Sequence, residues 1–140
     1  MKSGPIIIVE DDIDDKELLE SVFHDLKIPN RLNWFRKSGE AFTYLKTTGD
    51  QPFLIFSDVN LPVENGIEFK RRIDADPHLR QKRIPFVFYS TSADQRTVNT
   101  AYTEMTVQGF FQKENRYEEI KKCIDLIVKY WKMCRHPNSA

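Results

Sequence analysis

Residues that build metal clusters or covalent cross-links are scarce in this chain, which has two cysteines and three histidines in 140 positions. Cys123 sits among apolar residues at helical spacing, and Cys134 lies near the end of the same segment. Without a CxxC or a Cys/His cluster, neither a zinc site nor a disulfide framework is expected. His24, His78 and His136 are scattered, whereas histidine metal sites need clustered ligands. An excess of positive charge is missing as well, because 21 Lys+Arg balance 21 Asp+Glu. Sequence-independent nucleic-acid binding needs a basic face that displaces counterions, so it is not expected. Long apolar runs are also absent. No stretch approaches the ~18–20 apolar residues that span a bilayer. The N-terminal MKSGPIIIVEDD has four apolar residues in a row before the acids begin, short of a secretory signal. A cytoplasmic protein with no membrane and no nucleic-acid partner is the expectation.

The chain does contain a regular alternation. Its length fits one domain over 1–140, with a core over about 5–131 and a short tail over 132–140. Short apolar runs occur at Ile6–Val9, Leu32–Phe35, Phe53–Phe56, Phe86–Tyr89 and Gly109–Gln112. IIIV, FLIF and FVFY show no polar alternation, as expected of parallel strands buried on both faces. RLNWF mixes polar with apolar residues and suits an edge. Helical spacing links Leu18, Leu19, Val22, Phe23 and Leu26. Ser38 can cap a helix carrying Ala41, Phe42 and Leu45. Further helices are expected over Asn65–Asp76, ending before Pro77, and over Asp94–Met105. The clearest apolar stripe is Ile120, Cys123, Ile124, Ile127, Val128 and Trp131. Five βα units in succession predict a doubly wound α/β domain with five helices.

In such sheets ligands bind beyond the carboxyl ends of the strands. The first run ends in Glu10-Asp11-Asp12, the third in Asp58, the fourth in Ser90-Thr91-Ser92 and the fifth in Lys113. Each has an ordinary explanation by itself: Asp11 or Asp12 can cap the next helix, Ser90 can be a turn residue and Lys113 a solvated charge. Together, on one rim, they form a set. Two unit charges ~4 Å apart repel by about 4 kcal/mol at an effective dielectric of 20. Glu10, Asp11 and Asp58 therefore raise one another's pKa values or recruit a cation. A hard divalent ion with oxygen ligands suits them, with Mg²⁺ as the default. Lys113 can hold a phosphoryl oxygen, and the Ser90 hydroxyl can donate to another. These parts describe phosphorylation of a carboxylate, with Asp58 as the nucleophile.

IIIVEDD, FSDVNLPVENG, FVFYSTSA and GFFQK resemble, in order and spacing, the motifs of response-regulator receiver domains, over about Pro5 to Trp131. The resemblance implies a flavodoxin-like five-stranded parallel sheet of order 2-1-3-4-5. It implies that Asp58 accepts phosphate from a phosphohistidine of a sensor histidine kinase or histidine phosphotransfer protein. Glu10, Asp11, Asp58 and the backbone carbonyl of Asn60 would hold Mg²⁺ or Mn²⁺. Ser90 would be the switch hydroxyl, Lys113 the phosphate-binding lysine and Phe110 the switch aromatic. Gly66 matches the glycine of the loop after the phosphoacceptor, where a turn can require positive φ. By the same resemblance, the face formed by the helix over 94–105, the fifth strand and the last helix is the candidate for partner binding or for pairing of two copies.

Three departures stand out. Glu114 follows Lys113 where the family usually has proline, often after a cis peptide. A cis bond before a non-proline residue costs roughly 2.5–4 kcal/mol, so the bond is either trans in a rearranged loop or strained, and Lys113 is less firmly placed by sequence. Thr91 stands where a smaller residue is common, which points to an altered phosphoryl lifetime. Phe110 lacks the hydroxyl of a tyrosine switch. The expected function is a stand-alone phosphoacceptor of two-component signalling, not an enzyme in the ordinary sense, because the residues after Trp131 are too few for an output domain. A pseudo-receiver that is never phosphorylated is the alternative. A phosphohydrolase with an aspartyl nucleophile is the other, and there Asn60 stands where a general acid would be needed.

Overall fold

The three unbroken apolar runs occupy the centre of a sheet because both of their faces are covered. In a computed structural model, residues 2–91 and 94–135 are described. Ser92 of the fourth strand end, His136 and the tail over 136–140 lie outside the described residues. The strands are β1 (Ile6–Val9), β2 (Leu32–Phe35), β3 (Leu54–Ser57), β4 (Phe86–Ser90) and β5 (Phe110–Gln112). They form one sheet of order β2-β1-β3-β4-β5, and every pairing is parallel. Every residue of β1, β3 and β4 is buried, whereas β2, an edge strand, is half-buried throughout.

Alternation along the strands builds two cores. Ile6, Ile8, Leu54, Phe56, Val87 and Tyr89 face α1 (Ile13–Asp25) and the last helix, here α6 (Tyr117–Met133). Ile7, Val9, Ile55, Phe86 and Phe88 face α2 (Ser38–Thr47), α3 (Gly66–Ala75) and α5 (Gln95–Glu104). Burying each such side chain stabilises the fold by about 1.5–3 kcal/mol, so the strand positions are firmly specified.

A sixth helix, α4 (Pro77–Lys82), was not expected. The sequence reading treats Pro77 as a stop. Asp76 instead accepts from the Leu79 N–H at 3.0 Å and caps a new helix, in whose first turn a proline loses no intrahelical bond. Ser38 also differs from expectation. It is the first helical residue of α2 rather than its cap, and its hydroxyl turns to the Glu64 carbonyl at 2.9 Å and carboxylate at 2.8 Å. The third run is shifted by one residue: Phe53 is fully buried but precedes β3, its N–H donating to the Pro5 carbonyl.

Candidate functional site

Parallel pairing with Ile8 beside Phe56 and Val9 beside Ser57 places the next residues, Glu10 and Asp58, side by side on the carboxyl rim. The Asp58 N–H donates to the Val9 carbonyl at 3.0 Å, which fixes the backbone of the carboxylate to the neighbouring strand. Ser90 ends β4, and its own carbonyl accepts from the Lys113 N–H at 2.9 Å. Strand, register and one bond beyond each strand end thus gather Glu10, Asp58, Ser90 and Lys113.

Both Asp58 oxygens are engaged. Oδ1 accepts from the Ser90 hydroxyl at 2.6 Å and from the Asn60 N–H at 3.1 Å, and Oδ2 lies 2.9 Å from Lys113 Nζ. Lys113 also reaches Glu10 Oε1 at 2.5 Å and Asp15 Oδ2 at 2.9 Å. The three N–H bonds of one ammonium therefore serve three carboxylates. Burial pushes the Glu10 carboxyl up to about 7, opposed by Lys113 and reinforced by the charge of Asp58. Burial works against the Lys113 ammonium, yet its hydrogen bonds to Glu10, Asp15 and Asp58 outweigh this and hold it above the usual lysine range. At Glu10 burial is the larger upward push and the charge of Asp58 the smaller, and Lys113 answers both.

Of the acids after β1, Asp12 is the helix cap, accepting from the N–H groups of Asp14 and Asp15 at 2.8 and 3.2 Å. Asp11 pairs with Arg36 at 3.1 Å. Among the described residues no group of three His, Cys, Asp or Glu side chains is arranged to hold a metal ion, and Lys113 and Arg36 pair with the carboxylates of Glu10, Asp58 and Asp11. The donor set itself, carboxylates on two adjacent strand ends with Asp11 and a peptide carbonyl nearby, is the hard-oxygen chemistry that Mg²⁺ requires. Phe110 lies away from this cluster. It is half-buried against Phe88, ring centroids 5.4 Å apart, and its N–H donates to the Tyr102 hydroxyl at 3.0 Å. Thr91 is exposed and lines a cavity of about 210 Å³ with Asp15, Tyr89 and Lys113.

One expectation needs correction and one open alternative is resolved. Gly66 is not a positive-φ residue; the positive φ in this loop, 67°, belongs to Val63. Glycine is required at 66 by close approach, since a Cβ there would stand 2.1 Å from the Asp58 carbonyl oxygen. The described residues contain no cis peptide, so the Lys113–Glu114 bond is trans. Lys113 nonetheless reaches Asp58. The sequence reading missed Asp15 and Arg36, and neither has a local signal, because their partners Lys113 and Asp11 lie 98 and 25 residues away.

Comparison with known proteins identifies the family. The family described as "Response regulator receiver domain" matches residues 6–125. Response regulator Rcp1 of Synechocystis sp. is 30% identical over 131 residues, covering 90% of this chain and 87% of its own. The structure of a phosphorylated cyanobacterial phytochrome response regulator, RcpA, superposes with a TM-score of 0.85 at 27% identity, covering 96% of this chain and 98% of the other. The Mn²⁺-bound form of response regulator Rcp1 gives 0.81 at 27% identity, covering 96% and 99%. From a rim of acids around one lysine and a match over most of its length, this chain belongs to the family of response regulator receiver domains.

Proposed function

We propose that this chain is a stand-alone receiver, one domain over 1–140, that takes a phosphoryl group on Asp58 from a sensor histidine kinase or a histidine phosphotransfer protein. The observation that carries the reading is the seating of Asp58, with Ser90 on one oxygen and Lys113 on the other. An Asp58 oxygen attacks phosphorus, the new O–P bond forms as the P–N bond of the phosphohistidine breaks, and the electron pair stays on the imidazole. Lys113 follows the phosphoryl oxygens, and Ser90 exchanges its carboxylate acceptor for one of them. A divalent ion held by Glu10, Asp11, Asp58 and the Asn60 carbonyl would neutralise charge on the transferring group. The Mn²⁺-bound relative supports that ion, and the phosphorylated relative supports the transfer. No helix among the described residues is long and apolar enough to cross a membrane, in keeping with a cytoplasmic site of action.

Intact-protein mass after incubation with acetyl phosphate tests the reading. One phosphoryl group is expected with Mg²⁺, and none without it or in Asp58→Asn. A wild-type chain that never gains mass would leave the pseudo-receiver in its place.

Output is by protein contact, and the face of α5, β5 and α6 is proposed to pair two copies. Leu126, Tyr130 and Met133 are exposed there, at 67%, 62% and 85%. Leu126 and Tyr130 line an apolar cleft beside Phe111 of the edge strand β5. Glu118 and Glu119 lie in the first turn of α6 and Lys132 in the last, so antiparallel pairing brings opposite charges together at the helix ends. Sedimentation at micromolar concentrations is expected to show a dimer that Leu126→Asp converts to monomer. A wild-type monomer at every concentration would remove this pairing.

A further inference from the structure

We propose that Asp15 is a positioning residue that tethers Lys113 at the phosphoryl site, in place of the proline that this chain lacks at position 114. The inference rests on the phosphoacceptor reading and concerns how its lysine is held. Lys113 lies one residue beyond β5, a three-residue edge strand paired on one side only. Its peptide to Glu114 is trans, and its N–H donates to the Ser90 carbonyl at 2.9 Å. Such a loop leaves a long side chain free to wander, and ordering it carries an entropic cost.

Of the three carboxylates on the ammonium, two take part in the transfer. Asp58 becomes the acyl phosphate, and Glu10 belongs to the proposed ion site. Asp15 stands outside the reacting atoms. It sits in the first turn of α1, where its own N–H donates to the capping Asp12. Its contact with Nζ, 2.9 Å, involves no reacting atom, so the transfer does not consume it. Lys113 is only 8% exposed, so solvent does not screen this pair as it screens surface pairs. Asp15 is 39% exposed, which lets the carboxylate follow the ammonium as it swings to a phosphoryl oxygen.

The opposite effect is the competing one. The negative charge of Asp15 also repels the incoming phosphoryl donor, and if repulsion dominated, removing Asp15 would speed the reaction. The experiment separates the two. Phosphorylation by acetyl phosphate with Mg²⁺ is followed by intact mass in wild type, Asp15→Ala, Asp15→Asn, Lys113→Ala and the Asp15→Ala/Lys113→Ala double variant. Asp15→Ala is expected to slow uptake about tenfold, equivalent to ~1.4 kcal/mol in the barrier. Asp15→Asn, which keeps an acceptor oxygen without the charge, falls between it and wild type. In the Lys113→Ala background, Asp15→Ala should cost nothing further, because a tether without its lysine has no role. A merely structural aspartate would instead slow both backgrounds equally, and that result overturns the proposal, as does uptake by Asp15→Ala at or above the wild-type rate. If Asp15→Ala proves poorly folded by thermal unfolding, Asp15→Asn decides by the same criterion. A wild type that takes no phosphoryl group sinks the tether along with the reading beneath it, whereas a wild type that does, beside an unaffected Asp15→Ala, sinks the tether alone.

Discussion

Gly66→Ala is expected to destabilise the protein by about 3 kcal/mol, the upper end for an overpacked site, and to abolish phosphoryl uptake on Asp58. A Cβ at 66 would meet the Asp58 carbonyl oxygen at 2.1 Å and the Val59 Cα at 2.9 Å. Both are backbone atoms, so no rotamer change relieves the contact. The helix start cannot easily withdraw either. The Gly66 N–H is bonded to the Val59 carbonyl at 2.9 Å, and Asn65 and Glu68 cap α3 reciprocally, at 2.9 and 3.0 Å. The strain must fall on the Asp58–Val59 peptide, which carries the nucleophile. A displacement there breaks the seating of Asp58 between Ser90 and Lys113 even where the fold survives. Thermal unfolding and mass after acetyl phosphate treatment read the two effects separately. An alanine variant that matches wild type in both would show that the loop yields without moving Asp58.

Asp74→Ala is expected to cost about 2 kcal/mol at neutral pH, and to cost less as the pH rises toward 10. Lys70 has a side chain only 4% exposed, and its ammonium bonds Asp74 at 2.8 Å. Removing one partner of a buried pair leaves an uncompensated charge, at about 3–5 kcal/mol for a dry site. Here the pair lines a cleft of about 290 Å³ below β3 and β4, so water reduces the penalty. Asp74 also accepts from the Thr106 N–H and hydroxyl, at 3.1 and 2.8 Å, and so ties α3 to the chain entering β5. The pH dependence has a definite sign. Burial holds the Lys70 pKa below its unfolded value, with Asp74 opposing. The unfolded chain therefore binds the proton more tightly, and stability contributed at this residue rises as pH climbs from the folded toward the unfolded pKa. Losing Asp74 lowers the folded pKa further and widens that window. Denaturant unfolding at pH 7 and pH 10 measures both values. The double variant Lys70→Met/Asp74→Ala should recover the part of the loss that comes from the unpaired ammonium, leaving the part due to the Thr106 bonds. An Asp74→Ala protein as stable as wild type at pH 7, or one whose deficit grows with pH, would contradict the account.

Much of the fold was readable because its signals are local. IIIV and FVFY lie in fully buried strands, and RLNWF lies at an edge, each as its pattern of polar and apolar residues requires. Helix α4 was missed for a local reason as well, since proline is a stop within a helix but a good first-turn residue when an aspartate precedes it. Ser38 was misread because a hydroxyl near a helix start has two kinds of partner, and the one it takes, Glu64, is distant in sequence.

The same division holds at the site. Apolar patterning is enough to tell which chemical groups end which strands, Glu10, Asp58, Ser90 and Lys113, because a buried parallel strand must surrender its polar groups at its ends. How those groups share charge depends on the folded arrangement. Lys113 found three acids, and one of them, Asp15, comes from a helix 98 residues earlier in the chain. Asp11 pairs with Arg36, which approaches from the loop after β2. Gly66 is needed for the space beside the Asp58 carbonyl and not for a turn angle. Strand identity follows from apolar periodicity along a few residues. Ion-pair partners and close approaches depend on sheet order, register and side-chain direction, which no short stretch of sequence contains.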